Sequence, residues 1–322
     1  MKNIAVVTGG DSGEAKISFQ SADQVILNID RKKFIPYKII IQKGKWYFLN
    51  EKKKEIPVDK NDFSITIGGK KIIFDFVFLM IHGTPGEDGK LQGYFDLIGL
   101  PYSTSGLHTS AITFNKEICK RVLAPLGINM AKSLLIYTGE KINEKEILKK
   151  VGLPCFVKPN NGGSSIGTTK VEKKGELKPA ILKALKEDSQ AILESFISGR
   201  EITCGVVNYR GNIRALAITE IVPPKTSKFF DLKSKYDGST KEITPANIPG
   251  DKYRECLRLS EKIYKELNCK GIIRIDYFLS GRNFFLLEVN SIPGMTGESL
   301  IPKQAGHVGI SFKELLTNSI EC

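Results

Sequence analysis

The chain opens with "NIAVVTGG" (3–10), an apolar β-rich run that ends on a glycine turn. "DSGEAKISFQSADQVILNID" (11–30) then shifts to helical spacing, and "YKIIIQ" (37–42) returns to an extended apolar pattern. Strand, helix and strand in this order predict a parallel α/β sheet. "FDFVFLMIHG" (74–83) reads as a buried strand emptying into a polar loop, and such loops at the carboxyl ends of parallel strands are where these sheets bind ligands. Helical spacing recurs over 110–127 and 142–152. The strand "PCFVKP" (154–159), a glycine-serine loop, the strand "GTTKV" (167–171), a lysine-rich helix and the strand "AILESFI" (191–197) come next. Two longer strands, "EITCGVVNY" (201–209) and "IRALAITEIV" (213–222), precede an irregular segment (223–250), a helix (251–268) and a closing hairpin. The pattern is α/β with added α+β character. A first domain runs to about residue 104.

The hairpin "RIDYFLSGRNFFLLEVN" (274–290) breaks its own apolar pattern with Arg274, Asp276, Glu288 and Asn290. Desolvating an unpaired ion is costly, so charges in such runs have partners. A three-residue turn at Gly281, Arg282 and Asn283 would set Ser280 opposite Phe284, Asp276 opposite Glu288 and Arg274 opposite Asn290. Opposed residues share a face, so all four would form one patch. Two carboxylates and an amide oxygen suit Mg²⁺ or Mn²⁺. A structural ion-pair network around Arg274 would use the same residues.

The irregular segment holds "PPKTSKFFDLKSKYDGSTKE", with five lysines over 225–241. Loops of this length are uncommon unless they act as lids or are disordered. A cationic lid over an anion and a plain surface loop both fit. In "VKPNNGGSSIGTTKV" (157–171), Gly162, Gly163 and Gly167 permit positive φ, and successive N–H groups there can form a phosphate nest beside Lys158. An ordinary hairpin turn is the simpler reading. The loop is not G-x-x-x-x-G-K-[ST], and no G-x-G-x-x-G occurs. His82 and Glu87 sit where the buried strand opens. Glu194 and Glu201, after a strand exit, could read an adenine amine and a ribose hydroxyl, or simply lie on the surface.

Composition narrows the partners. A net charge of +13 over 322 residues favours anionic ligands, but no basic stripe carries interleaved aromatics, which argues against nucleic acid. The six cysteines include no Cys-x-x-Cys and only three histidines accompany them, so neither zinc nor a disulfide framework is expected. The longest apolar stretch, "IIFDFVFLMI" (72–81), is about half a bilayer span, and the N-terminal apolar run is short for a secretory signal. A cytoplasmic protein with no membrane partner is expected.

The order of these motifs resembles the ATP-grasp ligases and, within them, the D-alanine–D-alanine ligase family. The resemblance runs from about residue 4 to 312 and is carried by "GGDSGEAKIS", "HGTPGEDGKLQGYFDLIGLPYSTSG", "FVKPNNGGSSIG", "ESFISGREIT", "KSKYD", "RIDYFL" and "LLEVNSIPGMTGESLIP". It implies three domains, an N-terminal α/β domain at 1–104 followed by a two-lobed ATP-grasp fold with a central lobe at 105–197 and a C-terminal lobe at 198–322, with ATP between the second and third, and a homodimer. Lys116 and Lys158 would hold phosphates beneath the loop of Ser164, Ser165 and Gly167. Glu194 and the backbone of Ser195 and Ile197 would meet adenine, and Glu201 the ribose. Asp276, Glu288 and Asn290 would bind two Mg²⁺ or Mn²⁺ ions.

For the chemistry, the resemblance gives Arg274 and the Gly294 N–H to the oxyanion. Glu14, linked to Ser164 and Tyr236, would take the first D-alanine near His82 and Glu87. Lys235 would also reach ATP and, with Ser299 and Leu300, would take the second, and Tyr236 would mark avoidance of D-lactate. Ala15, Phe230 and Leu232 depart from the family pattern, and bear on lid packing and affinity rather than reaction type. An ATP-grasp ligase or carboxylate kinase with another acceptor is the competing enzyme. A basic non-catalytic module with the same fold is the competing class.

Overall fold

Three sheets follow one another along the chain. The computed structural model describes residues 1–50, 52–224 and 240–322. The lid positions Phe230, Leu232, Lys235 and Tyr236 lie outside the described residues.

The first sheet starts with β1 (Lys2–Gly9), then α1 (Ala15–Asn28) and β2 (Phe34–Gln42). A meander of short strands follows, β3 (Lys45–Leu49), β4 (Glu55–Asp59), β5 (Ser64–Ile67) and β6 (Lys70–Ile72), before β7 (Phe76–Leu79) and α2 (Lys90–Leu97). The order is β6-β5-β4-β3-β2-β1-β7. β2, β1 and β7 are parallel, as the sequence pattern predicts, whereas β3 to β6 extend the sheet antiparallel. β1, paired on both sides, carries Ile4, Ala5, Val6 and Val7 fully buried, as a strand covered on both faces requires. Helix α1 buries Ser18, Ser21, Ala22 and Val25, one stripe at helical spacing. Its small residues let it lie close to the sheet.

The second sheet has two entry helices, α3 (Leu107–Phe114) and α4 (Lys116–Leu123), then β8 (Ser133–Tyr137) and α5 (Glu144–Lys150). β9 (Cys155–Pro159), β10 (Thr169–Val171), α6 (Leu177–Ala184) and β11 (Gln190–Ser195) complete it in the order β10-β9-β11-β8. The helical pattern over 110–127 is therefore two helices. Asn115 leaves helical geometry (φ −90°, ψ 102°) and its side chain accepts from the Ile118 N–H at 3.0 Å. Asparagine is favoured at this capping position because its oxygen satisfies an orphan N–H.

The third sheet, β14-β13-β12-β15-β16, comprises β12 (Arg200–Tyr209), β13 (Asn212–Val222), β14 (Lys241–Ile243), β15 (Ile272–Ser280) and β16 (Asn283–Asn290). Helix α7 (Gly250–Glu266) packs on it, and α8 (Leu300–His307) and α9 (Phe312–Glu321) close the chain. Ile202, Ile263, Ile275 and Tyr277 lie in its core. A narrow joint ties this sheet back to the first. Gly271 has φ +62°, and a Cβ there would stand 1.9 Å from the Ser103 carbonyl oxygen. Beside it, Ser105 Oγ donates to Lys270 O at 3.2 Å and accepts from Lys270 N at 3.1 Å.

Candidate active site

β15 and β16 set Asp276 opposite Glu288 and Arg274 opposite Asn290. The facing is as expected, but the turn is not. Ser280 pairs with Asn283, so the loop is the two residues Gly281 and Arg282, with Gly281 at φ +58°. Such a turn alone would slip the register by one and send Glu288 and Asn290 to the other face. An extra residue, Leu287, restores the facing by bulging between the Tyr277–Leu286 and Asp276–Glu288 pairs.

On that face Arg274 grips Asp276 through both arms, Nε to Oδ1 at 2.8 Å and Nη2 to Oδ2 at 2.7 Å. Asn290 Nδ2 adds a bond to Asp276 Oδ2 at 3.0 Å. The ion-pair network around Arg274 is thus real. It coexists with a hard-oxygen set. Asn290 uses its amide nitrogen on Asp276, so its amide oxygen can serve a cation alongside the two carboxylates. Among the described residues no three His, Cys, Asp or Glu side chains stand together as a metal group. A cation here would complete its shell with water and phosphate oxygens, as Mg²⁺ commonly does.

Facing this patch are the cations of the second sheet. Lys116 opens α4 and donates from Nζ to Gly162 O at 2.5 Å. Burial lowers its pKa below the ordinary lysine value. Lys158, near the end of β9, lies 2.7 Å from Glu194 Oε2 on β11. Burial works against its charge, but Glu194 and then Glu288 outweigh it and raise its pKa. Burial likewise pushes Glu194 upward, and Lys158 and Lys120 outweigh it, bringing the carboxyl to about 2. Glu194 therefore sits between two ammonium groups rather than exposed. Lys120, 2.8 Å from its Oε1, was not singled out in the sequence. The signal was its place one turn after Lys116, on the same side of the helix. Buried Asn160 was also missed. Its Oδ1 accepts from Glu117 N at 2.9 Å, and its Nδ2 donates to Asn115 Oδ1, also at 2.9 Å, so it fixes the start of α4.

The glycine-serine loop turns by other residues than expected. Gly162 and Gly167 have positive φ, Gly163 does not, and Ser164 (+48°) and Ser165 (+59°) do. Gly163 is needed for space, since a Cβ would meet both Glu14 carboxylate oxygens at 3.0 Å. Ser164 Oγ donates to Glu14 Oε1. Glu14 occupies the N-cap position of α1 without capping it, and its carboxylate crosses to the second sheet instead.

Nearby, the buried His82 ring has Nε2 3.3 Å from Ser21 Oγ, and burial, outweighing the Glu14 charge, lowers its pKa. Glu87 accepts from Gly83 N at 2.7 Å. Burial first, and the Glu14 charge second, raise its carboxyl to about 8. Ser299 accepts from Thr296 N at 2.8 Å instead of capping α8, leaving the first-turn N–H groups of that helix uncapped by its side chain. Gly294 packs against it, with a Cβ position 2.9 Å from Ser299 Oγ.

Residues of all three sheets meet around one cavity of about 310 Å³, within the small-molecule range. Every described residue given a site role in the sequence lines it except Gly167, which packs against the Pro159 ring and serves as a turn. Ser195 lines it with its own N–H already donated to Lys132 O at 3.0 Å.

Comparison with known proteins agrees with this architecture. Residues 3–105 match the family described as D-ala D-ala ligase N-terminus, and residues 122–321 match D-ala D-ala ligase C-terminus. A D-alanine--D-alanine ligase of Flavobacterium johnsoniae is 48% identical over 321 residues, 100% of this chain and 99% of the relative. The crystal structure of VanG D-Ala:D-Ser ligase from Enterococcus faecalis superposes with a TM-score of 0.87 at 33% identity, covering 99% of this chain and 98% of that one. D-alanine--D-alanine ligase from Bacillus anthracis complexed with ATP gives 0.78 at 30% identity, covering 100% and 97%. The chain belongs to the D-alanine–D-alanine ligase family, with the ATP-grasp fold.

Proposed function

We propose that the three-sheet cavity joins two D-alanine molecules into D-alanyl-D-alanine, with ATP converted to ADP and phosphate, for peptidoglycan precursor synthesis. The observation that carries this reading is convergence. An anion site, a carboxylate-amide face and a carboxylate suited to an ammonium group share one cavity. We assign the first amino-acid site to 1–104 and the nucleotide to the space between 105–197 and 198–322, in a cytoplasmic homodimer.

Lys116, Lys158 and the loop carrying Ser164 and Ser165 hold the triphosphate. Glu194, Ser195 and Ile197 border adenine, and Glu201 the ribose. Asp276, Glu288 and Asn290 fit two Mg²⁺ or Mn²⁺ ions, whose chemistry when bound is to neutralise triphosphate charge and polarise the γ-phosphoryl group.

Glu14, oriented by Ser164, pairs with the ammonium of the first D-alanine, near His82 and Glu87. A carboxylate oxygen of that D-alanine bonds to the γ-phosphorus as the bridging oxygen leaves with ADP, a transfer that depends on positioning and charge neutralisation. The second D-alanine sets its carboxylate on Ser299 and the amides at the start of α8, beginning with Leu300, where helix geometry favours an anion. Its amine attacks the acyl carbon and passes a proton to the departing phosphate. Arg274 and the Gly294 N–H hold the developing oxyanion, and the bond to phosphate breaks, releasing dipeptide and phosphate.

Phosphate release from ATP and Mg²⁺ with D-alanine, compared with L-alanine, D-serine and D-lactate, tests the reading. Preference for D-serine as acceptor would move the chain to the activity named for the Enterococcus relative. Asp276→Asn or Glu288→Gln should abolish turnover with the fold intact, and ordinary turnover in either variant would remove the metal assignment.

A further inference from the structure

Lys120 does not line the cavity, yet it is held tightly. Its Nζ donates to Glu194 Oε1 at 2.8 Å and to Ala131 O at 2.7 Å, with 12% of the side chain exposed. Glu194 Oε2 is 2.7 Å from Lys158 Nζ. Three buried charges thus run in line from Lys120 through Glu194 to Lys158. Only the last ammonium borders the cavity beside the glycine-serine loop.

On the nucleotide assignment above, two of these groups have to change partners when ATP enters. Lys158 turns toward phosphate, and Glu194 offers an oxygen to the exocyclic amine of the base. With Lys158 as its sole cationic partner, Glu194 would be stranded in a buried site, where an unpaired charge is strongly unfavourable. Lys158 would then be divided between its carboxylate and the phosphate. Lys120 resolves this conflict. It sits one turn after Lys116, so one face of α4 supplies both a phosphate-side cation and a cation for Glu194. Its second bond, to Ala131 O, fixes the ammonium independently of the nucleotide.

We propose that Lys120 is a positioning residue for the nucleotide, acting through Glu194. It keeps Oε1 paired and the carboxylate oriented, which releases Lys158 to the triphosphate and Oε2 to the base amine. The inference rests on the assignment of Lys158 and Glu194 to the nucleotide.

The test is steady-state kinetics on the full chain with Mg²⁺, ATP and D-alanine. Lys120→Met should raise the KM for ATP about 10- to 100-fold, the span of coupling within one charge network, with kcat and the KM for D-alanine changed less than about threefold. Preference for ATP over GTP, which lacks the exocyclic amine at that position, should fall in the same variant. Lys120→Arg should recover most of the affinity. In a Glu194→Gln background, Lys120→Met should add less than about a twofold effect, because its route is already cut. Lys120→Gln, which keeps a donor for Ala131 O, serves the same comparison if the methionine variant does not fold. Unchanged KM for ATP in Lys120→Met or Lys120→Gln, or effects that add in full to those of Glu194→Gln, would overturn the inference. Lys158→Met separates the two levels. If it leaves ATP affinity untouched, the nucleotide assignment itself fails, whereas a large effect there with none at Lys120 sinks this inference alone.

Discussion

Glu87 sits in an environment far from the ordinary one for a carboxyl group. With a carboxyl near 8 in the folded chain against the ordinary 4.5, it is protonated at neutral pH. A raised value means that the folded state holds its proton more tightly than the unfolded chain. The stability this contributes is fully present below pH 4.5 and is lost as the pH rises through 8. Glu87→Gln should therefore gain on the parent as pH increases from about 4.5 to 8, read from urea midpoints at several pH values. Parallel curves would show that Glu87 titrates normally. Gly163 gives a second test at this scale. Its missing Cβ leaves room for the Glu14 carboxylate. Gly163→Ala should raise the KM for D-alanine about tenfold, the cost of displacing a positioned group, with less effect on the KM for ATP. The polar residues within the hairpin could be read from sequence because charge inside an apolar run is conspicuous. Lys120 was harder, since its place one turn after Lys116 gains meaning only when its partner, 74 positions on, is placed beside it.

At the level of elements, the hairpin shows how a correct facing can rest on a mistaken turn. A three-residue loop without a bulge and a two-residue loop with one give the same pairing of Asp276 with Glu288. The composition of the turn does not distinguish them. The two differ in what deletion does. Removing Leu287 from the bulged hairpin should leave the two-residue turn and keep Asp276 opposite Glu288, whereas in a hairpin with a three-residue turn and no bulge the same deletion would rotate Glu288 and Asn290 away from the cavity. Turnover should therefore stay within about tenfold of the parent, and nucleotide affinity should keep its dependence on Mg²⁺. A deletion variant that loses its Mg²⁺ dependence would contradict the bulge. The long strands β1, β12 and β13 were legible because continuous or alternating apolar runs mark them. The meander β3 to β6 was not. Its strands are three to five residues long, and its lysines and half-exposed positions blur the alternation. The break at Asn115 was hidden because helical spacing continues across it.

On the scale of the whole molecule, the cavity draws side chains from three sheets, so a ligand that fills it bridges them. Saturating MgATP at a hundredfold excess over Kd should add about 2.7 kcal/mol to stability. Trp46, the one tryptophan of the chain, packs edge-on against Tyr94 at 5.1 Å between ring centroids, in the first sheet. Its fluorescence should report the same upward shift in thermal midpoint as the far-ultraviolet circular dichroism of the whole chain. Separate transitions would mean that the first sheet unfolds on its own. The arrangement of the sheets around the cavity was not deducible from local pattern, because it depends on contacts between residues far apart in sequence.

One such contact is the seam where Gly271 lies against the Ser103 carbonyl. It leaves no room for even a methyl group, so it fixes the spacing between the sheet that supplies Glu14 and the sheet that supplies Arg274. On the proposed site assignment, any side chain there is a wedge driven into the seam, prising the amino-acid half of the cleft from the reacting half. Gly271→Ala would then starve the enzyme of its first D-alanine while MgATP still bound, a catalytic lesion caused wholly by leverage at a place that touches no substrate.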